Sequence, residues 1–126
     1  MLGLLWTGPN RRVEWVAAFM NGGAPETPEA VTADEERRRK RHDVEVPDGV
    51  PFSEPERRII GFTRSMTPED LVGFAGTFSS TIALGPAERE EYLASVRALV
   101  AEHPDLRGRD RVELPLGCLC WRARRL

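Results

Sequence analysis

A chain of 126 residues with 40% apolar residues, 30% charged residues and a net charge of −2 has the balance of one globular domain. So small a charge excludes a global field that would draw the chain onto nucleic acid or an anionic membrane, and no apolar run approaches the ~20 residues of a membrane span. Lys40 is the only lysine and glutamine is absent, a coding bias, and the apolar start lacks the basic region and cleavage site of a signal peptide.

Leu2–Gly8 is apolar on both faces and ends in Thr-Gly-Pro, which predicts a strand buried on both sides. Such a strand needs a neighbour at each edge, and no residues upstream of it supply one. Val13, Val16, Ala17 and Met20 repeat at helical spacing, and Gly22-Gly23 stops that helix. Residues 24–50 are rich in Pro, Glu, Asp and Arg and read as an irregular charged excursion with one short exposed helix over Asp34–Arg41. Ile59–Thr63 is a second strand candidate.

Thr67-Pro68-Glu69-Asp70 is a strong local signal. Thr67 caps a helix, Pro68 suits its first position, and the two acids favour the positive end of the dipole. Leu71, Phe74, Ala75 and Phe78 then form one apolar stripe. Ser79-Ser80-Thr81 breaks this helix. Gly85-Pro86 opens another that runs to about Glu102 and ends at His103-Pro104. Arg111–Arg122 reads as a last strand, with Leu114, Leu116, Cys118 and Cys120 on one face and a bulge or ladder gap expected at Pro115. The order strand, helix, excursion, strand, two helices, strand predicts an α/β layer fold.

The absences narrow the chemistry. No Gly-x-Gly turn, Walker loop or Gly-x-Ser-x-Gly elbow occurs. His42 and His103 are the only histidines, neither at metal-ligand spacing. Cys118 and Cys120 share a strand face and read as packing, in a reduced, cytoplasmic compartment. Arg37–Arg41 follows Asp34-Glu35-Glu36 without aromatic interleaving, so it reads as a solvated face carrying i,i+4 pairs such as Glu35–Arg39, and it argues against a nucleic-acid partner. If Leu2–Trp6 is a central parallel strand, Trp6, Thr7 and Asn10 stand at the carboxyl rim where α/β sheets bind ligands. A tryptophan that merely closes the core fits the same residues equally well.

Taken in order, these pieces resemble the C-terminal part of class I S-adenosylmethionine-dependent methyltransferases with a type-11 domain. Leu2–Asn10 with Val13–Val16 is similar to that group's fifth strand and following helix. Phe62–Leu71, running to Ser80, is similar to the sixth strand and the helix covering the substrate side. Glu88–Val100 with Val112–Leu116 and Cys120–Ala123 is similar to the last helix and the antiparallel seventh strand. The resemblance implies a partial Rossmann-like sheet, its last three strands with the final one antiparallel, in a single incomplete domain spanning residues 1–126. It places Trp6, Thr7, Arg64 and Ser79 on the substrate side, facing a small-molecule methyl acceptor. The family's glycine-rich loop, second-strand acid and fourth-strand motif have no counterpart here, so no cofactor-binding residue carries over. The expected role is a methyltransferase fragment inactive alone and binding no cofactor. The competing role is an interaction module whose sheet is completed by a partner or a second copy.

Overall fold

The computed structural model describes residues 1–126. The elements run β1 (Leu2–Pro9), α1 (Glu14–Met20), α2 (Pro28–Arg41), β2 (Glu56–Met66), α3 (Pro68–Gly76), α4 (Ser79–Ile82), α5 (Pro86–Glu102) and β3 (Val112–Ala123). The fold is α/β, as the element order predicts. Its one sheet has the order β1-β3-β2, and β3 lies antiparallel to both neighbours. The last strand in sequence is therefore the middle strand in space, and β1 and β2 run parallel to each other on either side of it.

Local sequence explains the helices. Thr67 Oγ1 accepts a hydrogen bond from Asp70 N at 3.1 Å, and Pro68 occupies the first turn of α3. A cap of this kind contributes about 1 kcal/mol. In α5, Pro86 opens the helix after Gly85 and His103 closes it. The α1 helix ends in a Schellman arrangement, with Gly23 N donating to Ala18 O at 2.8 Å. Gly22 and Gly23 sit at φ 67° and 88°, a conformation that glycine adopts without penalty.

The core lies at one end of the sheet. Trp15, Val16 and Phe19 of α1 pack with Leu71 and Ala75 of α3, Val96 and Val100 of α5, and Leu106. From the strands only Met66, Val112 and Leu114 join them. The helices thus cover the end where β2 stops and β3 starts. The rest of the sheet is open: Leu5 is 69% exposed and Ile59 62%.

That openness corrects one expectation. β1 is an edge strand, paired with β3 on one side only, and none of its residues is buried. Apolar content reports what a strand is suited to pack against, whereas burial requires a layer over it, and the helices that cover Leu114 on this face do not reach Leu5. A second correction concerns residues 24–50, where α2 takes fourteen residues, beginning at Pro28 behind a Thr27 cap. A third concerns Pro115, which makes no bulge. Its pairing to Thr63 is continuous, and its carbonyl accepts from Asn10 N at 2.9 Å. The missing donor therefore faces β1 just where β1 ends, and the ladder to β2 loses nothing.

Candidate functional site

The sheet presents one face to α2, and a cleft of about 740 Å³ lies between them. Strand alternation puts Trp6 and Gly8 of β1 on this face, opposite Leu119 and Gly117 of β3. Ile59 of β2 pairs with Leu119 from the other side. The Trp6 ring stacks on His42, just past the end of α2, with centroids 4.8 Å apart and planes at 30°. Thr7 and Asn10 line the mouth of the cleft.

The α2 helix buries no residue, so an apolar stripe does not hold it. Ion pairs do. Arg12 Nε and Nη2 donate to the Glu35 carboxylate at 3.0 and 3.3 Å. Arg11 and Arg38 meet Asp34 Oδ2 at 3.0 and 2.9 Å, as close charges outside hydrogen-bond alignment. The Glu35 carboxylate raises the Arg12 guanidinium above its ordinary value, first through the hydrogen bonds and then through charge. An exposed pair such as Arg12–Glu35 contributes little, about 0–1 kcal/mol, but Arg11 and Asp34 are mostly buried and several pairs converge here on two consecutive acids. The pairing expected between Glu35 and Arg39 gives way to a longer-range one, because Arg11 and Arg12 lie just beyond the end of β1 and reach the acids first.

The four residues expected on the substrate side do not form one cluster. Trp6 and Thr7 share the α2 cleft. Arg64 is exposed on β2 opposite Leu114, and Ser79 is the exposed first residue of α4; neither lines this cleft. His42 and Arg38 complete the aromatic and charged wall, and sequence spacing gave no sign of them, since their approach depends on where α2 folds back. Within Ser79-Ser80-Thr81 the buried member is Thr81, fully enclosed, with an Oγ1 that finds no hydrogen-bond partner. A buried hydroxyl without a partner costs about 1–3 kcal/mol. Thr81→Val, which keeps the shape and removes the hydroxyl, is expected to raise stability by about 1–2 kcal/mol. A lower urea midpoint for this variant would show that the hydroxyl is bonded after all.

The sulfur pair is chemically quiet. Cys118 and Cys120 are free, with Sγ atoms 3.7 Å apart on one strand face. Desolvation, then the hydrogen bond to Cys118, pushes the Cys120 thiol above its ordinary value. No group of three or more His, Cys, Asp or Glu is placed to hold a metal ion.

A nucleotide-type cofactor needs backbone amides cradled at a strand-to-helix turn. Positive φ occurs at Gly22, Gly23, Gly49 and Gly108, all in connections that leave a helix. The two strand-to-helix turns, Asn10–Val13 and Thr67, contain no glycine. Neither turn therefore offers the glycine-built amide cradle of a nucleotide-type cofactor.

These features define an α/β sheet segment with a cleft roofed by α2 and two open edges, at β1 and β2. The chain is similar to an uncharacterized methyltransferase of Mycobacterium bovis and to uncharacterized methyltransferases of two strains of Mycobacterium tuberculosis, at 30% identity over 122 residues in each case. The match covers 97% of this chain and 45% of each relative, so the chain spans less than half their length. No family model and no solved structure matches. No helix is long and apolar enough to cross a membrane.

Proposed function

We propose that this chain forms the C-terminal sheet segment of an S-adenosylmethionine-dependent methyltransferase of class I, type-11 kind, acting on a small molecule in the cytoplasm, and that it is inactive alone. One observation carries this reading. Similarity to methyltransferases extends over nearly the whole chain, and the sheet those residues build leaves β1, the strand similar to the family's fifth, with a free edge. The cofactor pocket then lies on residues beyond that edge, with Trp6 and Thr7 at the acceptor side and Arg64 and Ser79 further along the same side.

The open edge also supports a second reading, in which a partner or a second copy completes the sheet. Both readings expect the isolated chain to take up no S-adenosylmethionine in calorimetry; saturable binding in the micromolar range would defeat the claim that the cofactor residues lie elsewhere. They separate in light scattering. Self-completion predicts a concentration-dependent dimer that Leu5→Lys disperses. A monomer at all concentrations leaves the methyltransferase segment standing and removes the second copy.

A further inference from the structure

A second cleft, about 720 Å³, lies between α3 and α5 and shares no residue with the cleft under α2. That volume falls within the range of small-molecule pockets, about 300–1,000 Å³. Its floor is apolar, with Val72 from α3 and Leu93 and Leu106 from the other wall. Its rim carries Arg89, Arg97 and Arg109, against a single acid, Glu69. Three positive charges and one negative charge around an apolar floor stand out in a chain whose net charge is −2.

The three arginines are also free of protein partners. None of them takes part in an ion pair, unlike Arg11, Arg12, Arg37 and Arg38 around α2. For Arg89 and Arg97 the helix itself explains this. Their i±3 and i±4 neighbours on α5 are Gly85, Pro86, Tyr92, Leu93, Ala94, Val100 and Ala101, none of them acidic. The α5 acids Glu88, Glu90, Glu91 and Glu102 occupy other positions around the helix. Arg89, Leu93 and Arg97 follow at i, i+4 and i+8, so one stripe alternates cation, apolar side chain and cation along the cleft. Guanidinium groups recognise carboxylate and phosphate through paired donors.

We propose that the α3–α5 cleft binds a small amphipathic anion, a carboxylate or phosphate head on an aliphatic or aromatic body. The head lies against Arg89, Arg97 and Arg109, and the body lies over Val72, Leu93 and Leu106. This site stands independently of the methyltransferase reading. Gly73 supplies a control, because it lines the cleft and nothing lies within 4 Å of a Cβ built there. Gly73→Leu fills the cleft while improving the helix propensity of α3.

The test is calorimetric titration of the full chain with octanoate, octyl phosphate, octanol and inorganic phosphate. At least one of the two amphipathic anions is expected to bind saturably at one site, and the tighter of the two identifies the head group. Octanol and inorganic phosphate are each expected to bind about tenfold more weakly or worse. The double variant R89A/R97A should weaken the anion about tenfold or more, as loss of two charge-assisted contacts requires, and Gly73→Leu should abolish binding with the circular dichroism unchanged. Absence of saturable binding by either anion overturns the proposal. So does equal affinity for octanol, equal affinity for inorganic phosphate, or binding that survives both variants.

Discussion

Gly23→Ala is expected to destabilise the fold by about 2–5 kcal/mol, from left-handed strain of about 1–2 and an overpacking penalty of about 1–3. Gly23 sits at φ 88°, and a Cβ there would lie 2.5 Å from Ser95 O and 2.9 Å from Ser95 C. Those atoms are backbone of α5, held in its hydrogen-bond ladder, so they cannot move without unpicking the helix. Gly22→Ala makes an instructive contrast. Its Cβ would meet Tyr92 Cε2 at 2.7 Å, but a half-buried ring can rotate aside. Gly22→Ala should therefore retain the strain and escape most of the clash, leaving it the milder of the two. Total stability of a domain this size is about 5–15 kcal/mol, so Gly23→Ala removes a large share of it. Urea denaturation of the two variants beside the parent decides the matter. Equal midpoints for Gly23→Ala and the parent would mean that α1 does not approach α5 as closely as this.

Much of the helical structure was legible because its signals are local. Thr67-Pro68 and Gly85-Pro86 each set a helix start within the residues that carry it. Leu71 and Ala75 were readable as core because their stripe repeats at helical spacing. The α2 helix was only half legible. Its first six residues bear no stripe, and the partners that fix it, Arg11 and Arg12, lie some two dozen residues upstream. The exposure of β1 was not legible either, since a strand's composition does not say whether a second layer lies over it. At the candidate site, Trp6 and Thr7 could be placed from the end of a strand, but Trp6–His42 stacking arises from tertiary folding alone. Arg64 and Ser79 came from resemblance, and no cleft in this chain gathers them with Trp6.

The charged features sort into two kinds once their partners are known. The Arg37–Arg41 run reads in sequence as a solvated face that carries its own ion pairs, and Arg37 and Arg38 are committed to Asp34. Glu56 is likewise committed, its carboxyl held below the usual range by the hydrogen bonds from Arg122 and then by that residue's charge. Arg89, Arg97 and Arg109 are scattered in sequence and drew no notice there, yet they meet around one cleft without partners. An unpaired charge beside an apolar floor is the more informative sign of a ligand, because a charge already matched within the protein has less to gain from one.

Phe19→Ala is expected to cost about 3–5 kcal/mol, the range for removing a buried phenyl ring. The helical stripe read from the sequence, Val13, Val16, Ala17 and Met20, leaves Phe19 out, yet it is among the largest fully buried side chains. Its ring meets Trp15 at 6.4 Å, Phe74 at 6.3 Å and Phe78 at 5.9 Å between centroids, and so ties α1 to α3. Every residue from Trp15 to Phe19 is buried, which means that α1 is enclosed on all sides and its stripe is not a boundary. A helix of seven residues is far below the length that holds together in water, so α1 depends on this packing. Its loosening should spread to Arg11 and Arg12, and through them to α2 and the cleft beneath it. The variant should therefore lose hydrogen-exchange protection in α1 and α2 before α5. Phe19→Leu, which keeps most of the apolar volume, should cost under about 2 kcal/mol. A loss below about 1 kcal/mol for Phe19→Ala, with α2 protected as in the parent, would show that the aromatic cluster is not what anchors the first half of the chain.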